Sequence, residues 1–278
     1  MVDPDIAAHY ELGLERSRLF VDGQPRLEYV RTVELLTRLL PAPPARVLDV
    51  GGGTGVYAVP LAQQGYEVRV IEPVESHIDQ VQAQAHEHGL GGLTAVVGDA
   101  RELPEAEGSH DAVLLLGPLY HLTERADRVR AFTEAVRVAR PGGAVIAVGI
   151  SRFASLIDGL KRQTLDDPQF RSIVERDLAD GQHRNPDVVA HPEFFTTAYF
   201  HLPSELEDEA ITAGLTNTQM FAVEGPSWIL ENAGDLPNQL FAARAVESEP
   251  SLLAATSHFM VAGVTSDQSQ PQRPAPAA

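Results

Sequence analysis

The segment Val47-Leu48-Asp49-Val50-Gly51-Gly52-Gly53-Thr54-Gly55 runs an apolar stretch straight into glycines. Glycines there let the backbone turn sharply and let a nucleoside-bearing ligand approach without a Cβ in the way. Gly53, Gly55 and Ala58 satisfy the G-x-G-x-x-A dinucleotide fingerprint, while Asp49, Gly51, Gly53 and Gly55 satisfy the narrower D-x-G-x-G-x-G. Glu72 closes the next apolar run, where a carboxylate can accept from both hydroxyls of a ribose. Further on, Leu115-Leu116-Gly117-Pro118-Leu119-Tyr120-His121 brings an imidazole to the end of another apolar run. His121 is the candidate general base, because it titrates near neutrality and ligands bind beyond the carboxyl ends of parallel strands. Its bland alternative is a structural histidine that caps the following helix or bonds a carbonyl. Tyr120 is its companion as a wall or hydrogen-bond donor, with simple packing as the alternative.

A second concentration of chemistry lies between residues 151 and 202. Arg152, His183, Arg184, His191, Phe194, Phe195, Tyr199 and His201 gather cations and aromatics in an otherwise acidic chain. Arg152, His183, Arg184, Tyr199 and His201, with Trp228, are the candidate lining for a small planar or carboxylate-bearing substrate. Phe194 and Phe195 fit better as a small core. The spacings of His183, His191 and His201 match no helical metal-ligand pair, so no metal is expected.

These residues need a scaffold that brings strand ends together. Apolar runs at 47–50, 68–71, 93–97, 112–116 and 144–148 alternate with candidate helices near 56–64, 74–88 and 124–139. Strand and helix repeated in this way predict an α/β fold, a parallel sheet with helices on both faces. The opening forty residues read as helical, with Leu12, Leu19, Leu27, Val30, Val33, Leu36 and Leu40 at helical spacing, until Pro41, Pro43 and Pro44 stop them. The expected organisation is an N-terminal helical lid over 1–44, a nucleoside-binding core over 45–150 and an inserted cap over 151–202. The rest of the core follows over 203–265, and a tail over 266–278 is too poor in apolar residues to order itself.

Charge narrows the partners. With 21 Lys+Arg against 39 Asp+Glu the chain carries −18, which argues against duplex nucleic acid and anionic bilayers. Residues 203–278 hold ten acids against Arg244 and Arg273, whereas the cap is nearly balanced, so an anionic substrate stays plausible only there. The absence of cysteine excludes disulfides, thiolate zinc sites and thiol nucleophiles. An acidic opening, MVDPDIAAHY, and the lack of a long apolar run lead to the expectation of a cytoplasmic protein, monomeric or homodimeric.

The acidic residue before the glycines gives a motif that resembles the first motif of class I S-adenosylmethionine-dependent methyltransferases. Glu72, Gly98-Asp99-Ala100, Leu115-Leu116-Gly117-Pro118 and Arg140-Pro141-Gly142-Gly143 follow in that family's order. The resemblance covers residues 46 to about 150 and implies a Rossmann-like, mostly parallel seven-stranded sheet. It also implies S-adenosylmethionine as cofactor and S-adenosylhomocysteine as product. Asp49, Gly51, Gly53, Gly55, Glu72, Asp99, Ala100 and Leu116 would bind the cofactor, with Asp99 at the adenine amino group and Leu116 beside the methyl donor. Arg18 and Tyr10 would cover its methionine end, although Arg18 and Glu15 at i, i+3 also read as a surface ion pair. The segments Gly117-Pro118-Leu119-Tyr120-His121-Leu122, Ile150-Ser151-Arg152-Phe153-Ala154 and Gly181-Gln182-His183-Arg184-Asn185-Pro186 are similar to those of a bacterial small-molecule group. The implied activity is methyl transfer to oxygen, nitrogen or carbon of a metabolite. A nicotinamide-dependent oxidoreductase would explain the glycines and Glu72 but not Asp99-Ala100 or the RPGG turn. A non-catalytic module that keeps the loop is the third reading.

Overall fold

A computed structural model describes residues 19–229 and 235–266. Seven strands form the main sheet: β1 (Arg46–Val50), β2 (Glu67–Glu72), β3 (Leu93–Val97), β4 (His110–Leu115), β5 (Ala139–Ile150), β6 (Leu215–Ala222) and β7 (His258–Thr265). Their order across the sheet is β6-β7-β5-β4-β1-β2-β3, with β1 to β5 parallel and β7 antiparallel to both its neighbours. The chain therefore builds outward from β1 to β3, then returns to start the other half at β4. That reversal leaves a crevice beyond the carboxyl ends of β1 and β4, the usual place for a ligand in such sheets.

Both faces of the sheet are apolar, because strands covered on both sides cannot alternate apolar with polar residues. One face presents Val47, Val68, Val70, Leu114, Ile146 and Met260 to helices α1 (Leu27–Leu39), α2 (Ala58–Gln63) and α3 (Glu75–Glu87). The other presents Leu48, Val50, Val113, Leu115, Val145 and Phe259 to α4 (Arg125–Val138) and α7 (Pro203–Thr212). Along β7 the alternation is explicit, with Phe259 and Val261 on one side and Met260 and Ala262 on the other. Among the described residues no helix is long and apolar enough to cross a membrane.

Two elements differ from the sequence expectation. The helical reading of the opening forty residues is interrupted by a short antiparallel ribbon that pairs Phe20–Val21 with Gln24–Pro25. Asp22 and Gly23 both take positive φ there, 49° and 74°, the conformation of a tight hairpin turn, and α1 starts only at Leu27. Arg140-Pro141-Gly142-Gly143 does not precede β5 but is absorbed into it as an irregularity in the β4–β5 register. Expected residues 1–18, including Tyr10, Glu15 and Arg18, and nearly all of the tail lie outside the described residues.

The segment after β5 carries α5 (Ala154–Arg162), α6 (Pro168–Asp180) and a ribbon pairing Gln182–His183 with Ala198–Tyr199. Asp167 starts α6 by accepting from the N–H groups of Gln169 and Phe170, and Gly181 ends it at φ 77°. A Cβ at Gly181 would lie 2.4 Å from the Phe200 carbonyl oxygen, so the return of the chain needs glycine there. The segment rejoins the core through helix α7, and α8 (Leu236–Val246) packs near α1.

Candidate active site

One cavity of about 310 Å³ opens over the carboxyl edge of the sheet. The glycine loop forms its floor. Gly51 and Gly53 adopt φ of 69° and 54°, which a side-chain-bearing residue rarely takes, and the loop is tied back by Gly51 N–H donating to the Ile71 carbonyl. A Cβ on Gly52 would lie 2.6 Å from Asp49 Oδ2, so this glycine, at a variable position of the motif, is required by the aspartate beneath it. A Cβ on Gly53 would meet no protein atom within 4 Å, so the space above the loop is kept for something else.

Asp49 is the most unusual group of the site. It is 1% exposed, and neither carboxylate oxygen has a hydrogen-bond partner among the described residues. Burial, reinforced by the charge of Glu72, pushes its carboxyl up to about 7. Buried polar atoms are nearly always paired, so two orphaned oxygens beneath an open cradle fit a cationic ligand group. Glu72 ends β2 in the same cavity, accepting from Gly53 N–H at 3.0 Å and Val74 N–H at 3.2 Å, with His77 Nδ1 at 3.3 Å.

Beyond β3, Asp99 and Ala100 line the cavity as the sequence places them. Arg101 donates to both Asp99 oxygens, at 2.9 and 2.6 Å, and also reaches Asp127 at 2.8 Å. This guanidinium holds the Asp99 carboxyl down at about 2. Arg101 was not singled out by its sequence position; an arginine two residues after a strand-end aspartate is the signal that marks it.

On the β4 side, Leu116, Gly117, Pro118, Tyr120 and His121 line the cavity. The β1 and β4 loops touch, since a Cβ at Gly117 would lie 3.0 Å from the Gly51 carbonyl oxygen. Tyr120 and His121 meet edge to face at 4.7 Å, and His121 packs 5.8 Å from the ring of Phe195. His121 Nδ1 lies 3.4 Å from the Thr197 carbonyl oxygen, a contact that orients the ring when this nitrogen carries the proton. Past β5, the cavity wall is completed by Glu28 and Thr32 of α1, Val148 of β5 and His258 of β7. His258 lies far along the chain from the glycine loop, and only the antiparallel direction of β7 brings its first residue to this edge.

The cap does not deliver its cations to this cavity. Arg152 is buried and donates to Glu205 at 2.7 Å, to the Tyr199 hydroxyl at 3.0 Å and to the Phe200 carbonyl at 3.2 Å. His183 is clamped between Asp177 at 2.9 Å and the Phe194 carbonyl oxygen at 2.8 Å. Arg184 donates to the His183 carbonyl and to Gln182. Tyr199 lies under the Arg128 guanidinium, 3.7 Å from its ring centroid, and lines a separate hollow with Glu205, Asp208 and Glu209. His201 is fully buried against Glu209, which also takes a forked bond from Arg128. The expected cationic substrate pocket is instead the cap's own polar interior: a small subdomain with few apolar residues consumes its cations in holding itself together. The Trp228 side chain lies outside what is described.

A family model described as a methyltransferase domain matches residues 47–143. An uncharacterized methyltransferase of Mycobacterium bovis is 31% identical over 216 residues, which is 75% of this chain and 78% of that protein. The demethylmenaquinone methyltransferase of Beutenbergia cavernae is 31% identical over 147 residues, 53% of this chain and 55% of that one. Among solved structures, an S-adenosylmethionine dependent methyltransferase from Mesorhizobium loti has a TM-score of 0.58 at 15% identity, covering 86% of this chain and 100% of that chain.

Proposed function

We propose that this chain, which belongs to the class I S-adenosylmethionine-dependent methyltransferase family, methylates an oxygen, nitrogen or carbon atom of a small metabolite. The observation that carries the reading is the meeting of an open glycine cradle, Glu72 and Asp49, which has no hydrogen-bond partner among the described residues, at the point where the sheet reverses direction. Bound there, the cofactor would supply a methyl group already activated on a sulfonium.

The chain's own work is then placement. Glu72 would hold the ribose hydroxyls, the Asp99 side chain and Ala100 N–H the adenine, and Asp49 the amino group. Leu116 and Gly117 would leave the methyl side open toward Tyr120 and His121. Displacement in line needs the acceptor, methyl carbon and leaving atom aligned and water excluded, which aromatic walls and a covering segment achieve. Tyr10 and Arg18 remain proposed parts of that covering segment. The proposed enzyme works in the cytoplasm as a monomer or homodimer, with neither nucleic acid nor membrane as partner, a reading that the charge of −18 supports. The likeness to the small-molecule group with a GPLYHL segment supports a metabolite acceptor, as does the quinone-precursor acceptor in the name of the Beutenbergia relative.

Calorimetric titration with S-adenosylhomocysteine and with NADH tests the reading. Micromolar binding of S-adenosylhomocysteine is expected, and binding of the nicotinamide alone would refute it.

A further inference from the structure

The edge of the cavity farthest from Glu72 holds a group that the glycine-loop chemistry does not use. His258 opens β7 and lines the cavity. Its Nδ1 lies 2.7 Å from Oε1 of Glu224, a residue only 3% exposed just past β6. The other Glu224 oxygen accepts from His258 N–H at 2.9 Å and from the Thr256 hydroxyl at 2.8 Å. Glu28 of α1 approaches the same Nδ1 at 3.8 Å, and Arg31, one helical turn on, donates to the Val223 carbonyl and to Glu247. Glu224 is met by the His258 N–H, the His258 imidazole and the Thr256 hydroxyl, contacts that favour its ionised form. An ionised carboxylate only accepts, so Nδ1 carries the proton and the ring's acid–base exchange with a ligand goes through Nε2. At 2.7 Å the Nδ1–Oε1 contact is a short hydrogen bond.

Sheet order gives the placement. β7 lies two strands beyond β4, roughly 10 Å at the usual strand spacing, on the side away from β2 and β3. The nucleoside end of the cavity and His258 are thus at opposite ends, with β4 and β5 between them. Leu19, Tyr120 and Val148 add apolar side chains to the cavity lining.

We infer that His258, oriented by Glu224, is the catalytic base of this site and that the acceptor is a neutral, weakly acidic hydroxyl, a phenol or an enol. This rests on the methyltransferase reading above and assigns the proton step to His258 in place of His121. An oxygen lone pair of the acceptor forms the new bond to the methyl carbon. The carbon–sulfur pair stays with sulfur, which leaves as a neutral thioether. The hydroxyl proton passes to Nε2 of His258, and the resulting imidazolium is paired with the Glu224 carboxylate until it loses the proton to water. Glu224 is a positioning residue, because it acts through the imidazole.

The test uses the full chain, S-adenosylmethionine labelled in its methyl group, and two acceptor panels. One panel holds phenols and enols, including a hydroxynaphthoquinone; the other holds amines. Label is expected on an oxygen of the first panel. His258→Gln should lower kcat at least 100-fold while KM and S-adenosylhomocysteine affinity stay within threefold. Glu224→Gln should lower kcat about tenfold and move the acidic limb of the pH–rate profile, with Glu224→Asp restoring part of both. Unchanged melting curves check that the variants fold, and the imidazole 15N shifts report the Nδ1–H tautomer directly. Full activity in His258→Gln overturns the assignment, as does transfer only to amines. A lack of labelled hydroxyl product while S-adenosylhomocysteine still binds also overturns it. Failure to bind S-adenosylhomocysteine at all instead overturns the methyltransferase reading.

Discussion

Replacing Asp49 by asparagine separates stability from ligand binding at one atom pair. The folded chain carries this carboxyl at about 7 against an ordinary 3.8, because it is buried and faces the charge of Glu72. Between those values the folded state keeps a proton that the unfolded state has lost, so stability falls as pH rises from about 4 to about 7 and then levels. Carried through in full, that difference corresponds to ~4 kcal/mol, a ceiling that water reaching the side chain through the cavity lowers to roughly 2 kcal/mol. The amide has no charge to bury, but its own unsatisfied donors cost about 1 kcal/mol at every pH. The informative quantity is therefore the change between pH 5 and pH 8, in which that constant cost cancels. Denaturant melts of the ligand-free protein should show Asp49→Asn gaining roughly 1 kcal/mol on the wild type over this interval, or about 2–4 °C in Tm. Binding should move the other way. Wild-type affinity for S-adenosylhomocysteine should rise with pH up to about 7 as the carboxylate forms, whereas the variant binds roughly tenfold to a hundredfold more weakly with a flat profile. Equal destabilisation at both pH values, or an unchanged pH dependence of binding, would show that Asp49 bears no buried charge and holds no cation.

Other outcomes follow from named contacts. Gly53→Arg should abolish S-adenosylhomocysteine binding by calorimetry, because the side chain must fill the space over the loop, and Asp99→Arg should do so by placing two cations side by side with Arg101. His121→Ala removes an aromatic wall of the cavity and should lower turnover less than His258→Gln does, while leaving cofactor affinity within threefold; equal loss of both would make it structural. Arg128→Met leaves Glu209 charged and buried, so the melting free energy should drop by about 3–5 kcal/mol without changing the stoichiometry of cofactor binding. Burial lowers the His201 pKa despite its bond to Glu209, so its contribution to stability is present above about 6.5 and is lost as pH falls, when the unfolded chain takes up a proton first. His201→Gln should flatten that acid limb in pH-dependent melts; an unaltered limb would assign it to other groups.

The five apolar runs, the glycine loop and the strand-end residues Glu72 and Asp99 were legible because each is a local pattern. A buried parallel strand must be continuously apolar, and a turn that meets a ligand must lack Cβ atoms. The Asp22-Gly23 ribbon was equally local and should have broken the first helix, since periodicity at Leu19 and Leu27 survives a tight turn that happens to conserve phase. The cap failed for a different reason. Composition told that cations and aromatics gather between 151 and 202, but their number cannot say whether they face a ligand or one another. The answer depended on pairs such as Arg152 with Glu205 and His183 with Asp177, whose partners are charges the same segment and α7 supply. The rule this suggests is that a small subdomain with a weak apolar core uses its charges internally first. His258 shows the converse. It opens an apolar run over residues 258–265, and nothing near it in sequence marks it. Reversing the direction of one strand carries its first residue to the edge where the parallel strands end. The strand order β6-β7-β5 then sets Glu224 and His258 side by side at that edge. Functional residues contributed by an antiparallel strand should therefore be sought at its beginning, where those of its parallel neighbours are sought at their ends.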